Sequence, residues 1–148
     1  MCPKPKNMKH RAHILNFLKR NRLMSLATSS KNMPWAATVF FAYDTIGTIF
    51  FYSRKDTRHC RNIAKNPNVA ITFNQYTGKP NSIKGLQIIG RASEVASCEC
   101  ARCYAIFTTR YPWAKKFSGD HTLYAIHPKE MYYIDQKLFK HFYRVRIK

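Results

Sequence analysis

The chain has 148 residues, of which 45% are apolar and 14% aromatic, so it can bury a core and is not a disordered polymer. Its apolar runs are much shorter than the roughly 20 residues of a membrane helix, and no secretory signal follows the basic N-terminus. The 26 Lys and Arg against 7 Asp and Glu give a net charge of +19, which attracts polyanions. We expect a single domain, residues 1–148, with a flexible basic arm at 1–8.

The five cysteines predict a reducing, cytoplasmic location, because their number is odd and no secretory signal accompanies them. Three of them lie close together, at Cys98, Cys100 and Cys103. The spacing of the last two suits one half of a zinc site, but no second pair follows. Small, partly buried side chains on a helix are the simpler interpretation, and we expect no metal.

In chain order, hydrophobic periodicity and turn residues predict three helices among seven or eight strands. The helices are predicted at residues 9–21, 57–65 and 97–110. The strands are predicted at residues 23–28, 35–43, 48–53, 69–73, 85–95, 123–126 and 131–134, with a last edge strand at 139–147. His127-Pro128 is expected to break the strands on either side of it, and Gly90 to mark a bulge or a close backbone approach. Short turns favour antiparallel pairing, and such a sheet tends to close into a barrel.

The most informative segment, residues 49–67, joins an apolar strand to a short basic helix. A helix N-terminus attracts phosphate through its free N–H groups and its dipole. Ser53 and Thr57 can donate hydrogen bonds to phosphate oxygens, and Arg58 can bind two oxygens at once. The segment therefore predicts the phosphate end of a nucleotide-like cofactor site. Alternatively, Thr57 only caps a helix on which Arg58 and Arg61 are solvated.

This segment resembles the signature of the pyridoxamine 5′-phosphate oxidases. The matching residues, which align without a gap, are Phe51, Tyr52, Ser53, Thr57, Arg58, His59, Ile63, Asn66 and Pro67. The order of the first helix and of the strands at 34–44 and 83–95 is also similar to that of the FMN-binding split-barrel superfamily. Residues 83–112 look like those of its small, poorly characterised bacterial members.

The resemblance implies a mainly β, α+β fold, a six-stranded antiparallel split β-barrel with flanking helices. It implies a homodimer with FMN at the interface. The implied cofactor-binding residues are Thr38, Val39, Tyr52, Ser53, Thr57, Arg58, His59 and Gln87. Tyr52 and Ser53 match positions at the flavin and its phosphate, and residues 57–59 match the phosphate clamp. Thr38 and Val39 match the strand facing the flavin ring, and Gln87 matches the strand that approaches across the interface.

The chain departs from the oxidase pattern at the cations that neutralise the phosphate. Ala37 and Ala42 stand where the oxidases have Arg and Lys, and His59 stands where Lys is usual. Arg54, Lys55 or Arg61 could compensate. The Trp-rich C-terminal substrate signature is also absent, so oxidation of a B6 vitamer is not implied. With only seven acids, the chemistry must come from a cofactor, and the resemblance implies an FMN-dependent oxidoreductase acting on an unknown small molecule.

Other functions remain open at this stage. The +19 charge, basic ends and interleaved aromatic residues also suit a nucleic-acid or polyanion-binding module with non-specific binding. Some split-barrel relatives bind haem or a deazaflavin instead of FMN. Trp35 and Trp113 are expected to anchor the core or an interface, although Trp35 could instead stack on a cofactor ring.

Overall fold

The computed structural model describes residues 10–148, so the predicted basic arm at 1–8 and Cys2 lie outside the described residues. The helices are Arg11–Arg20 (α1), Arg58–Lys65 (α2), Cys100–Arg110 (α3) and Gln136–Phe139 (α4), with a 3-10 helix at Pro112–Phe117. The strands are Leu23–Ser30 (β1), Met33–Phe40 (β2), Ala42–Tyr43 (β3), Ile49–Arg54 (β4), Asn68–Gln75 (β5), Lys84–Glu94 (β6), His121–Asp135 (β7) and Val145–Arg146 (β8). None of the helices over these residues has the length and apolar character that a membrane-spanning helix needs.

All eight strands belong to one antiparallel sheet. Their order is β2-β1-β5-β6-β7-β4-β3, and β8 pairs with β7 beyond this path. The terminal strand β2 lies against β4 without forming a ladder with it, so the sheet curves into a half-barrel that stays open at this seam. The split-barrel fold is therefore confirmed. The sheet has two strands more than the six implied, and both of these, β3 and β8, are two residues long.

The main core fills the concave side of the sheet and is closed by α1 and α2. Ile14, Phe17 and Leu18 are buried at a spacing of three or four residues, which places them on one face of α1. Cys60 and Ile63 do the same for α2. A second, smaller cluster lies between α3 and the convex side of β4 and β7. The convex side of β2, β1, β5 and β6 carries exposed residues at Ala27, Ala36, Ala70 and Ile89.

The predicted break at His127-Pro128 is wrong, because β7 runs without interruption from His121 to Asp135. Ile89 pairs with Glu130 and Gly90 with Pro128, so Lys129 is an extra residue accommodated in a bulge. The bulge lets the proline remain within the strand. The prediction for Gly90 is confirmed, since a Cβ there would lie 2.7 Å from the His127 carbonyl oxygen.

The predicted last strand at 139–147 is largely wrong, because only Val145–Arg146 pairs with β7. Phe139 is instead the last residue of α4, and residues 140–144 have no regular secondary structure. The Asp135 carboxylate caps α4 by accepting a hydrogen bond of 2.9 Å from the Leu138 N–H. The C-cap of the helix is Lys140, whose φ of 65° is left-handed.

Candidate cofactor site

Helix α2 is held against β1 by two side-chain amides, one from the middle of the helix and one from its C-cap. Asn62 Nδ2 donates a hydrogen bond of 3.0 Å to Thr28 Oγ1, and both residues are buried. Asn66 Nδ2 donates a bond of 3.2 Å to Ser29 Oγ. Together with the buried apolar side of α2, these bonds hold the helix that follows the β4–α2 turn against the sheet. We call the group of Ser53, Thr57, Arg58 and His59 at this turn the α2 corner.

Thr57 is the N-cap of α2. Capping by Thr57 was the alternative to phosphate binding in the sequence analysis. Its Oγ1 accepts a hydrogen bond of 3.4 Å from the Cys60 N–H. The same hydroxyl donates a bond of 2.9 Å to the Arg54 carbonyl oxygen. The hydroxyl hydrogen of Thr57 is therefore engaged within the chain.

His59 is buried at the centre of the α2 corner. Its Nε2 lies 2.8 Å from Ser53 Oγ and 3.2 Å from Thr57 Oγ1. Because Thr57 already donates to a carbonyl, its contact with His59 requires the proton on Nε2. Burial lowers the pKa of His59 below its usual 6.5, so the ring is neutral at pH 7. When Ser53 accepts from this Nε2–H, the hydroxyl hydrogen of Ser53 is free to donate elsewhere.

Arg58 provides the exposed positive charge of the α2 corner. The central carbon of its guanidinium lies 4.6 Å from the centre of the Trp35 ring. Such stacking holds the flat cation in place while leaving its N–H groups available. Among residues 10–148, no carboxylate lies within 4.0 Å of this side chain. By contrast, Arg54 pairs with Asp56 at 2.6 Å and Lys55 with Glu94 at 3.0 Å. Two of the three cations proposed above to compensate for the missing ones are therefore engaged, and the third, Arg61, is exposed on α2.

Tyr52 lies on the opposite side of β4 from Ser53. Its half-buried ring packs against His121 at 5.2 Å and Phe107 at 5.7 Å, in the smaller cluster beneath α3. Burial raises the pKa of its phenol, and nearby Tyr104 adds to the effect. The backbone of Tyr52 is therefore next to the α2 corner, but its side chain lies on the other side of β4.

Thr38 and Gln87 lie on the convex side of the sheet, away from the buried groups of the α2 corner. The register places them at the two ends of a row of side chains, Thr38, Ser25, Thr72 and Gln87, on four adjacent strands. We call this set the convex row. Val39 faces the other way and packs against the main core. Of the eight predicted residues, the structure brings together four at the corner and two on the convex row.

A shallow groove of 440 Å³ lies beside the convex row. It is lined by the small side chains of Ala27, Ala36 and Ala70 and bordered by Gln87. At one border, the guanidinium of Arg144 lies 4.8 Å from the centre of the Tyr132 ring. Sequence reasoning missed Ser25 and Thr72, although the alternation of buried and exposed residues along β1 and β5 could have found them. Nothing in the local sequence marks Arg144.

The two alanines in place of the oxidases' cations have different surroundings. Ala37 is partly buried on β2, whereas Ala42 is buried against Phe50. In the cysteine-rich segment, Cys98 and Cys100 are exposed and Cys103 is buried. Across residues 10–148, His, Cys, Asp and Glu side chains form no group of three that could hold a metal ion.

Together, the split half-barrel and the clamp motif at the β4–α2 turn define a class of protein. The family model described as pyridoxamine 5′-phosphate oxidase matches residues 11–135. The chain belongs to this family.

Similar chains include the UPF0306 proteins of two bacteria. The one from Klebsiella pneumoniae is 29% identical over 132 residues, which cover 86% of each chain. The one from Pasteurella multocida is 29% identical over 99 residues, which cover 66% of each chain. In both cases the aligned segment is much longer than the α2 corner.

Solved structures share the fold at low sequence identity. A putative pyridoxamine 5′-phosphate oxidase from Listeria innocua has a TM-score of 0.63 at 20% identity, covering 82% of this chain and 94% of its own. A heme binding protein from Mycobacterium smegmatis has a TM-score of 0.77 at 17% identity, covering 97% and 59%. A FAD-binding protein from Mesorhizobium loti has a TM-score of 0.67 at 16% identity, covering 81% and 88%.

Proposed function

We propose that this protein binds FMN as a homodimer and serves as a flavin-dependent oxidoreductase on an unknown small molecule. The observation that carries the proposal is Arg58, an exposed cation that is stacked on Trp35 and has no carboxylate partner among the described residues. It occupies the clamp position of the family motif. Membership of the family and the FAD-binding neighbour with the same fold support a flavin.

The groups of the α2 corner fit a phosphate monoester. Arg58 would bind two phosphate oxygens, and Ser53 would donate its free hydroxyl hydrogen to a third. The backbone N–H groups of Arg58 and His59, the first two residues of α2, lack intrahelical acceptors and would add further donors. His59 would keep the Ser53 hydroxyl in position. When bound, the flavin would supply hydride and electron transfer, for which no acid or base in this chain is required.

The separation of the predicted residues supports a site shared between two protomers. The α2 corner and the convex row lie on different sides of one sheet. One cofactor could contact both only if Thr38 and Gln87 come from a second copy. The exposed convex face, with its small side chains at Ala27, Ala36 and Ala70, would then lie in the dimer interface.

The first test is the variant Arg58→Ala, followed by titration of FMN fluorescence. Losing a charge-assisted interaction of roughly 1.5–3 kcal/mol should weaken FMN binding by about ten- to a hundredfold. Lys65→Ala is the matched control, because it removes an exposed cation from the other end of the same helix. Equal affinity for the Arg58→Ala and Lys65→Ala variants would contradict the proposed site.

A second test asks whether one site uses two protomers. Arg58→Ala and Gln87→Ala homodimers should each bind FMN poorly. Mixed dimers, purified with two different tags, should recover one intact site per dimer if Arg58 and Gln87 meet across the interface. No recovery would mean that both residues act within one chain, or that Gln87 lies outside the site. Size-exclusion chromatography with light scattering establishes the oligomeric state of each sample.

A haem-binding function is the second candidate, because the Mycobacterium smegmatis protein with this fold is described as a heme binding protein. Here the buried His59 is engaged with Ser53 and Thr57, which does not favour an axial role for it. The absorption spectrum of freshly purified protein distinguishes the two cofactors, since only haem gives a Soret band. Mass spectrometry of the molecule released on denaturation would identify it, and bleaching of bound FMN by a reduced nicotinamide would test turnover.

A further inference from the structure

A basic pocket of 630 Å³ lies apart from the α2 corner, between the β5–β6 loop, α4 and the end of α1. Five cations line it: Arg20, Lys79, Lys84, Lys137 and Lys140. The remaining lining consists of amide and hydroxyl side chains with one proline, and it includes no carboxylate. We call this cavity the basic pocket. Neither the family motif nor the proposed flavin site uses it.

Hydrogen bonds between two distant segments fix the walls of the basic pocket. The Ile83 N–H donates to Gln136 Oε1 at 3.0 Å, and the Gln136 N–H donates to the Ile83 carbonyl oxygen at 3.1 Å. Within the loop, Ser82 Oγ donates a bond of 2.6 Å to the Lys79 carbonyl oxygen. The loop and the start of α4 therefore form one braced wall, from which lysine side chains extend.

The positive charges around the basic pocket are almost uncompensated. Lys84 has an acidic partner, because the carboxylate of the buried Asp135 lies 3.6 Å from Lys84 Nζ. That carboxylate already accepts hydrogen bonds of 2.9 Å from the Tyr133 hydroxyl and from the Leu138 N–H. Within the described residues, the other four cations have no carboxylate within 4.0 Å. Like charges that converge on one concavity focus the field and raise the local concentration of anions.

We propose that the basic pocket is a binding site for a compact polyphosphate, such as a chain of three phosphates or the triphosphate of a nucleotide. Its volume is in the range of small-molecule sites, roughly 300–1,000 Å³. Its lysines are flexible point charges that suit phosphate oxygens, and the amide and hydroxyl groups add neutral donors. No aromatic residue lines it, whereas sites for single-stranded nucleic acid stack bases on aromatic rings.

The test is calorimetric titration of the full chain with sodium tripolyphosphate, compared with orthophosphate at matched ionic strength. The triple variant Lys79→Gln/Lys137→Gln/Lys140→Gln should bind tripolyphosphate about tenfold more weakly. The control Lys115→Gln/Lys116→Gln/Lys129→Gln removes three exposed lysines outside the pocket and should keep the affinity of the parent protein. In an Arg58→Ala background, which removes the phosphate-binding cation of the α2 corner, the pocket variant should still cause this weakening, which separates the two sites.

Three results would overturn the proposal. Equal weakening by the two triple variants would show attraction to net charge alone. Equal binding of orthophosphate and tripolyphosphate would remove the preference for a chain of phosphates. A single-stranded oligonucleotide that binds more tightly than tripolyphosphate, and that loses its affinity in the pocket variant, would assign the surface to nucleic acid.

Discussion

The α2 corner and the basic pocket both attract anions, but they are built in opposite ways. At the corner, Ser53 and His59 are buried and bonded to each other, and Arg58 is the single exposed cation of the group. The pocket presents several exposed lysines on a wall that is braced elsewhere. The polar groups of the corner are therefore part of the folded core, whereas the charges of the pocket lie on the surface of the fold.

This difference has an energetic consequence. Removing one partner of a buried hydrogen bond leaves the other without a partner, which costs its full desolvation. Removing an exposed cation from a group of like charges relieves repulsion and breaks little packing. Mutations that break the buried hydrogen bonds near the α2 corner should therefore lower the free energy of unfolding. At low salt, mutations that remove lysines of the basic pocket should raise it slightly.

The largest effect on stability is expected from Asn62→Ala. Loss of the amide leaves the buried Thr28 hydroxyl without its donor, so the free energy of unfolding should fall by about 1–3 kcal/mol. Urea denaturation followed by circular dichroism measures this change. Asn66→Ala is the control, because its bond to Ser29 is less buried and its loss should cost less. An equal cost for both variants would show that burial does not set the strength of these contacts.

The next effect concerns His59 and appears only in acid. Burial depresses the pKa of His59 in the folded protein below its usual 6.5, so the unfolded chain binds the proton more readily. The stability that the neutral ring contributes is complete above pH 6.5 and is lost as the pH falls from there through the folded pKa. His59→Gln should remove this part of the pH dependence of the unfolding free energy. Identical profiles for both proteins between about pH 7.5 and about pH 5 would refute the assignment.

A smaller effect is expected from Gln136→Ala, which removes the acceptor for the Ile83 N–H and loosens the wall of the basic pocket. The group is partly exposed, so water can replace the acceptor, and the free energy of unfolding should fall by about 0.5–1 kcal/mol. Tripolyphosphate binding should weaken in the same variant. Gln75→Ala, which changes another amide lining the pocket, should leave the free energy of unfolding nearly unchanged. An equal fall in both variants would argue against the brace.

Much of the α2 corner could be predicted from the sequence, because its residues are neighbours in the chain. Ser53 and residues 57–59 follow one strand within a single turn, so local rules of capping and anion binding apply to them. The engagement of Ser53 and Thr57 by the buried His59 could not be predicted, since burial depends on how Asn62 and Ile63 seat the helix against the core.

The basic pocket shows where sequence reasoning ends. Ile83 and Gln136, which brace its wall, are 53 residues apart, and no local sequence pattern predicts their contact. In the sequence, the lysines of the basic pocket are visible only as part of the net charge of +19. The bulge in β7 is a similar case, because Lys129 becomes an extra residue only through the pairing of Gly90 with Pro128. Alternation along the strands predicts the core, but long-range pairing decides which exposed residues share a surface.

The smallest effect is expected from the pocket variant Lys79→Gln/Lys137→Gln/Lys140→Gln in the absence of polyphosphate. Its free energy of unfolding should stay within about 0.5 kcal/mol of the parent value and should exceed it at low salt, because like charges are removed. The difference should vanish in high salt, where the repulsion is screened, while the cost of Asn62→Ala should persist there. A loss of stability at every salt concentration would mean that these lysines hold the wall through contacts of their own. The basic pocket would then resemble the α2 corner, as a group of residues that the fold itself requires.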